Sequence, residues 1–310
     1  MNLEGVELLI QLLDKNYFNE RIFNKYISLH QTKVFIKHER ELRRNTSNLI
    51  LKNELKNVIL KENYKDPYDF YLLKKNLPLL KKDIEYIKTN QDNIINNALE
   101  RVYKIVPEKV VVNPKIYIIA GGQDGGFTIF MKNVYVNLGR YIGNMEEFEK
   151  VLAHELYHGR KLEWYKKFYL ILKMNMDNEK PMFETLGRIF EEGIACLIQH
   201  GVKLSKDDPI ETLTRRKLIL SQEAFGDLDK VLLSIKNGRP NYQLIASLDV
   251  YVLGYKIIRI LYENKGIYIL DEWTINYNYK KIIKEYVFIC KEKKITTGFR
   301  KDIDKWLLTI

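Results

Sequence analysis

The 310-residue sequence predicts an α+β fold that is predominantly α. Three patterns predict it. Apolar residues recur at helical spacing through the first third, in Val6, Leu9, Ile10 and Leu13 and again in Ile84, Ile87, Ile94, Ile95, Leu99 and Val102. At Val110 the chain turns β-branched and aromatic, through Val110–Val112 and Ile116–Ile119. From Asn144 onward the helical pattern returns. The expected organisation is a helical N-terminal region over residues 1–108 and a second domain with a small β-sheet over 109–310.

Each element has a local reason. Pro67 and Pro78 punctuate the helical region and Pro107 closes it. Its helices carry no His pair and no glycine-rich loop, so its expected role is to pack against or shield the second domain. The segment Gly121-Gly122-Gln123-Asp124-Gly125-Gly126 lacks the Lys-Ser/Thr of a P-loop and the spacing of a dinucleotide fingerprint, so it reads as a hairpin turn. Phe127 to Leu138 then reads as one or two strands. Asn144 and Glu147, three apart, make a capping pair for a helix that runs through His158. Pro181 suits the first turn of a helix reaching His200. Asp208-Pro209 is expected to open another long helix that closes near Asn237-Gly238, and a further one to run from Tyr242 to Asn264, ending before Gly266.

Composition excludes several classes. With 46% hydrophobic residues the chain has material for a core and is not a disordered protein. No apolar run approaches the roughly 18 residues of a membrane span. The opening stretch, with Glu4, Glu7 and Asp14, reads as an amphipathic helix and not as a secretion signal. Only Cys196 and Cys290 are present, so there is no disulfide framework, and the expected compartment is the cytoplasm. The net charge of +11 raises the question of nucleic acid. Lysine is spread over the whole length, however, and the densest basic cluster, Arg40, Arg43 and Arg44, is interrupted by Glu39 and Glu41. A basic nucleic-acid-binding module is therefore the less favoured alternative.

The sharpest chemical signal is His154-Glu155-Leu156-Tyr157-His158. Helical residues four apart lie on one face a turn apart, so both imidazoles can reach one ion. Neutral imidazole is a good zinc ligand. Glu155 stands next to the first histidine, where it can take a proton from water at the metal's open position. A catalytic zinc wants a third protein ligand. A metzincin pattern fails, because Lys161 and Trp164 stand where it calls for a glycine and a histidine. His30, His38 and His200 fall in no recognisable pattern. A carboxylate is the better candidate, and Glu191-Glu192-Gly193-Ile194-Ala195 on the next amphipathic helix offers two.

These residues resemble the gluzincins, zinc peptidases built on a two-His helix and a second helix bearing a Glu. Glu192-Gly193-Ile194-Ala195 is similar to the Glu-Gly-Phe-Ala of the aminopeptidase branch, which implies Glu192 as third ligand with Glu191 as its competitor. Gly193 and Ala195 have a physical reason as well, since small residues let two helices approach. Tyr251-Val252-Leu253-Gly254-Tyr255 resembles the Tyr-x-x-Gly-Phe helix of that branch, which implies that Tyr251, more than Tyr255, stabilises the oxyanion.

The chain also departs from the branch. Its gap between His158 and Glu192 is longer, with Leu162 to about Met176 reading as an inserted helix. Gly125 to Phe130 stands where the branch carries a Gly-x-Met-Glu-Asn strand, and lacks the Glu that holds a free amine. Cys196 stands where thermolysin-like enzymes place an Asp, so Glu184 is the residue considered for orienting a ligand His. The arrangement is similar to little-characterised zinc-dependent peptidases of Gram-positive bacteria.

The resemblance implies a zinc peptidase-like domain over 109–310. Zn²⁺ would sit on His154, His158 and Glu192, with Glu155 as general base and Tyr251 at the oxyanion. The substrate would be a peptide or protein, cleaved by endopeptidase more than aminopeptidase action along a strand within about Phe127–Val136. The rival expectation is a zinc-binding protein without turnover.

Overall fold

The computed structural model describes residues 1–129, 131–162 and 179–310. The inserted helix expected from Leu162 to Met176 lies, beyond Leu162, outside the described residues. The fold is predominantly helical with a small three-stranded sheet. Six helices come first: α1 (Glu4–Leu13), α2 (Glu20–Ser28), α3 (His30–Glu41), α4 (Asn48–Leu60), α5 (Phe70–Lys75) and α6 (Leu77–Tyr103). Strands β1 (Lys115–Ile119), β2 (Gly126–Ile129) and β3 (Asn133–Asn137) come next, then α7 (Met145–His158) and α8 (Lys180–His200). The remainder is α9 (Arg215–Ile219), α10 (Ser221–Lys236), α11 (Tyr242–Ser247), α12 (Val250–Lys265), α13 (Ile267–Thr274), α14 (Tyr279–Glu292) and α15 (Lys301–Leu307). No helix among the described residues is long and apolar enough to cross a membrane.

By contact the chain groups into two compact units, Met1–Leu99 with Asn113–Gly159, and Glu100–Val112 with Arg160–Ile310. The chain passes between them three times. The boundary read at residue 108 marks a change of residue pattern, and the contact groups divide the chain elsewhere.

In the first unit the sheet has the order β1-β3-β2, with β1 parallel and β2 antiparallel to β3. The glycine segment is therefore not a hairpin turn joining paired strands. It carries the chain from β1 past β3 to the far edge. The Asn137 side chain holds it there, donating to the carbonyls of Gly121, Gly122 and Asp124 and accepting from the Gly121 amide. Val110–Val112 likewise forms no strand, only a single bridge from Val112 to Arg160.

The two faces of the sheet differ. Tyr117, Tyr135 and Phe127 stand in one register row and stack at centroid distances of 5.1 and 4.9 Å. Helix α3 extends that row, because His38 stacks on Phe127 at 3.8 Å and His30 lies 5.7 Å from Tyr117. Ile118, Val136 and Gly126 share another row, as do Ile116, Val134 and Thr128. That aliphatic face receives α7, whose Phe148, Leu152 and Leu156 are fully or almost fully buried. The expectation that N-terminal helices cover later elements holds within this unit. Asn2 also pairs beside β1, whereas no described strand pairs along the outer side of β2.

In the second unit α8 and α12 cross through glycine. A Cβ on Gly193 would stand 2.5 Å from the Gly254 carbonyl, and one on Gly254 would overlap the Ile189 oxygen outright. Only hydrogen fits at either position. Phe183 and Phe190 of α8 then pack on Trp273 of α13, and each such fully buried side chain contributes about 1.5–3 kcal/mol.

Two helix expectations change. Asp208-Pro209 does not start a helix. Asp208 is buried and organises a loop, accepting from Ile210 N, Thr212 Oγ1 and Gln199 Nε2, and the next helix begins only after the Thr214 cap. The pattern from Tyr242 is split at Leu248, because the Asp249 side chain accepts from Val252 N and caps a fresh helix. The expected starts at Asn144 and Pro181 and the stops at Gly238 and Gly266 are observed.

Candidate metal centre

Helix α7 begins where Asn144 Oδ1 accepts from Glu147 N at 3.3 Å. Three turns on, it carries both histidines. His154 and Glu155 are only 7% and 5% exposed, which is costly for polar groups that are not engaged. The two Nε2 atoms stand 3.2 Å apart. Two nitrogens that are each about 2.0–2.1 Å from one tetrahedral zinc are separated by about 3.3 Å, so the pair fits the ion.

Glu155 lies against β2. Thr128 Oγ1 donates to Glu155 Oε2 at 2.9 Å and also stands 3.2 Å from the Glu155 carbonyl. A Cβ on Gly126 would meet Glu155 Cγ at 2.8 Å and the Tyr135 oxygen at 2.9 Å, so glycine there lets the carboxylate lie flush with the strand. The loop before β2 is held from the other face of the sheet. His38 Nε2 and Asp124 Oδ2 are 2.8 Å apart, and Arg44 reaches Asp124 Oδ1 at 3.4 Å. Burial alone would push the Asp124 carboxyl up, but the His38 hydrogen bond and the Arg44 charge outweigh it and hold it below its ordinary value.

On α8 the adjacent acids part ways. Glu191 Oε1 accepts from Arg160 at 2.5 Å, and Oε2 accepts from Arg160 at 2.7 Å and from Trp273 Nε1 at 2.7 Å. Both its oxygens are thereby engaged. Glu192 is half-buried next to Gly193, at the crossing with α12. Tyr251, also half-buried, lies one turn before Gly254 on α12. Tyr255 is fully buried and donates to the Gly201 carbonyl at 2.9 Å, a structural bond. Glu184 lies 3.9 Å from Lys180 at the start of α8. Cys196 is buried, and burial, then the charges of Glu192, Asp208 and Asp249, push its thiol well up, which suits an unreactive packing residue.

The structure thus gathers His154, Glu155 and His158 in the first unit, and places Glu192 and Tyr251 beside one helix crossing in the second. Sequence reasoning missed Thr128, Gly126, Arg160 and Trp273. Arg160 alone left a trace, as a charged residue directly after His158-Gly159 in a buried stretch.

A family model described as "Putative zinc dependent peptidase (DUF5700)" matches residues 23–295. The chain belongs to this family. No curated protein and no solved structure matches it. The match begins within α2 and ends after α14, so the family extends over most of the helical N-terminal region as well as the stretch with both motifs.

Proposed function

We propose that the protein is a zinc peptidase of the gluzincin type, acting in the cytoplasm on peptide or protein substrates, as an endopeptidase more than an aminopeptidase. The ligands are His154, His158 and Glu192. The observation that carries this reading is the 3.2 Å separation of two imidazole nitrogens on a family member whose family name specifies zinc. Glu192 is preferred over Glu191 because the Glu191 carboxylate already serves Arg160 and Trp273.

Bound there, zinc supplies Lewis acidity that polarises the scissile carbonyl and acidifies water. The remaining work falls to side chains. Glu155 takes the proton of the attacking water and passes it to the leaving amine. Thr128 fixes Glu155 Oε2, so the carboxylate keeps one orientation through both transfers. The Tyr251 phenol donates to the oxygen where negative charge develops. The outer side of β2 offers main-chain groups to an extended peptide, which suits cleavage within a chain. Nothing at Gly126–Ile129 offers a carboxylate for a free amine.

The test is metal analysis joined to a peptide-library digest, on the parent and on Glu155→Gln. The parent should hold one zinc per chain and cleave. Glu155→Gln should keep the zinc and lose about 10²–10⁴-fold in rate. Zinc without cleavage by the parent would make this a silent zinc-binding protein. Equal rates in both would remove Glu155 from its role.

A further inference from the structure

Arg160 is the largest of the fully buried side chains among the described residues, with 0% exposure, and it is two residues past His158 in the chain. Its backbone is anchored by the bridge to Val112, and the next amide, of Lys161, donates to the Val111 carbonyl at 2.8 Å. Its guanidinium meets Glu191 in a two-pronged ion pair, at 2.5 and 2.7 Å. A planar fork on a carboxylate fixes orientation as well as distance, which a lysine would not.

Two further groups close around this pair. Trp273 Nε1 donates to the same Glu191 oxygen at 2.7 Å, and its ring is wedged against Phe183, Phe190 and the bare face of Gly187. The Tyr277 hydroxyl lies 3.5 Å from Arg160, on a residue held at φ +52°. Left-handed backbone is unfavourable for an aromatic residue and persists where the surroundings over-determine it. A buried charge pair held by an indole, a tyrosine in left-handed backbone and a bridged backbone is preorganised.

Its position says what is organised. Consecutive residues on a helix point about 100° apart. Locking Glu191 toward Arg160 therefore sets the direction of Glu192. Without the lock, Glu191 could turn about its own side-chain bonds and compete for an ion, and Glu192 would lose a contact that sets its direction.

We propose that Arg160, Glu191 and Trp273 form a positioning clamp for Glu192, tying the chain at Arg160 to α8 within the second unit and holding its acidic pair so that Glu192 is the carboxylate presented as a ligand. The proposal rests on the zinc-peptidase reading above. The three act through Glu192 and are positioning residues. Side chains that orient metal ligands change affinity by about ten- to a hundred-fold when lost.

The experiment measures zinc affinity by chelator competition on the full chain, together with the visible spectrum after replacing zinc by cobalt(II). The double substitution Arg160→Met with Glu191→Met removes both charges at similar volume, an exchange that buried ion pairs often tolerate. Its zinc-free form should melt within a few degrees of the zinc-free parent, while zinc binds about ten- to a hundred-fold more weakly and the cobalt spectrum changes. Arg160→Lys keeps the charge and loses the fork, and decides the matter should the double variant not fold. It too should bind zinc more weakly, with an altered cobalt spectrum. Parent-like zinc affinity and cobalt spectrum in the folded variant overturn the clamp. A parent that binds no zinc overturns the zinc reading itself, a distinguishable result.

Discussion

Helices α7 and α8 both bury polar residues, and each is held by a different kind of neighbour. Helix α7 lies on a sheet, where Gly126 makes room for Glu155 and Thr128 grips its carboxylate. Helix α8 lies on another helix, where Gly193 and Gly254 remove side chains from both sides of the contact. The sheet contact is shared between the Glu155 side chain and the Tyr135 backbone oxygen, while the helix contact is backbone on backbone and closer. The first can yield in part and the second cannot.

That difference is open to direct tests. Gly254→Ala should be the most damaging single change. Its methyl would overlap the Ile189 oxygen and stand 2.6 Å from the Gly193 nitrogen, so the helices must separate. The expected loss is about 4 kcal/mol or more, on the order of 10 °C in melting temperature measured by circular dichroism. Gly126→Ala should cost less, about 1–3 kcal/mol, because Glu155 can swing aside and the Tyr135 oxygen, at 2.9 Å, needs to shift by only a few tenths of an ångström. That movement breaks its bond to Thr128, so hydrolysis should fall further than stability does. If Gly126→Ala melts below Gly254→Ala, the ranking of the two contacts is wrong.

Each unit also carries a His–Asp contact, and these sharpen the comparison through pH. Asp208 lies 3.6 Å from His200 and Asp124 lies 2.8 Å from His38. Burial alone would raise the Asp208 carboxyl, but His200, Thr212 and the Ile210 amide together hold it below its usual range. A carboxyl depressed in the folded state stabilises above its unfolded value near 3.8, and that stability is lost as pH falls through the folded value. Asp208→Asn should therefore cost about 1–2 kcal/mol at pH 7, with the deficit shrinking below about pH 4. Asp124→Asn should show the same sign with a smaller effect, because its side chain is 36% exposed and water screens it. Denaturant melts at pH 7 and pH 3 on the two variants check both size and order.

The contrast also explains how much the linear sequence discloses. The start of α7, its histidine pair and the start of α8 at Pro181 are legible because caps and i,i+4 spacing are local. The sheet is not. Parallel pairing of β1 with β3 spans the whole of β2, so the glycine segment reads as the nearest available turn. Asp208-Pro209 misleads for a related reason, since the side chain that could have capped a helix instead bonds Gln199 and Thr212. The choice between Glu191 and Glu192 is closed to pattern reading, because the residues that engage Glu191 lie 31 and 82 positions away. Gly193 is legible as a small residue suited to close approach, but Gly254 is not legible as its partner.

The three passages of the chain between its contact groups bear on how the gene can be divided. A fragment stopping at Gly159 carries residues 100–112, which pack with the other group, and a fragment starting at Arg160 is deprived of them. The later fragment would forfeit the Val112 bridge to Arg160, the Lys109 ion pair with Asp271 and the Lys104 carbonyl that Tyr262 seeks. A single cut therefore yields two damaged pieces. Splitting this molecule for expression calls for a rearranged reading order, with the 100–112 excursion grafted onto the later piece and a linker joining residues 99 and 113 in the earlier one.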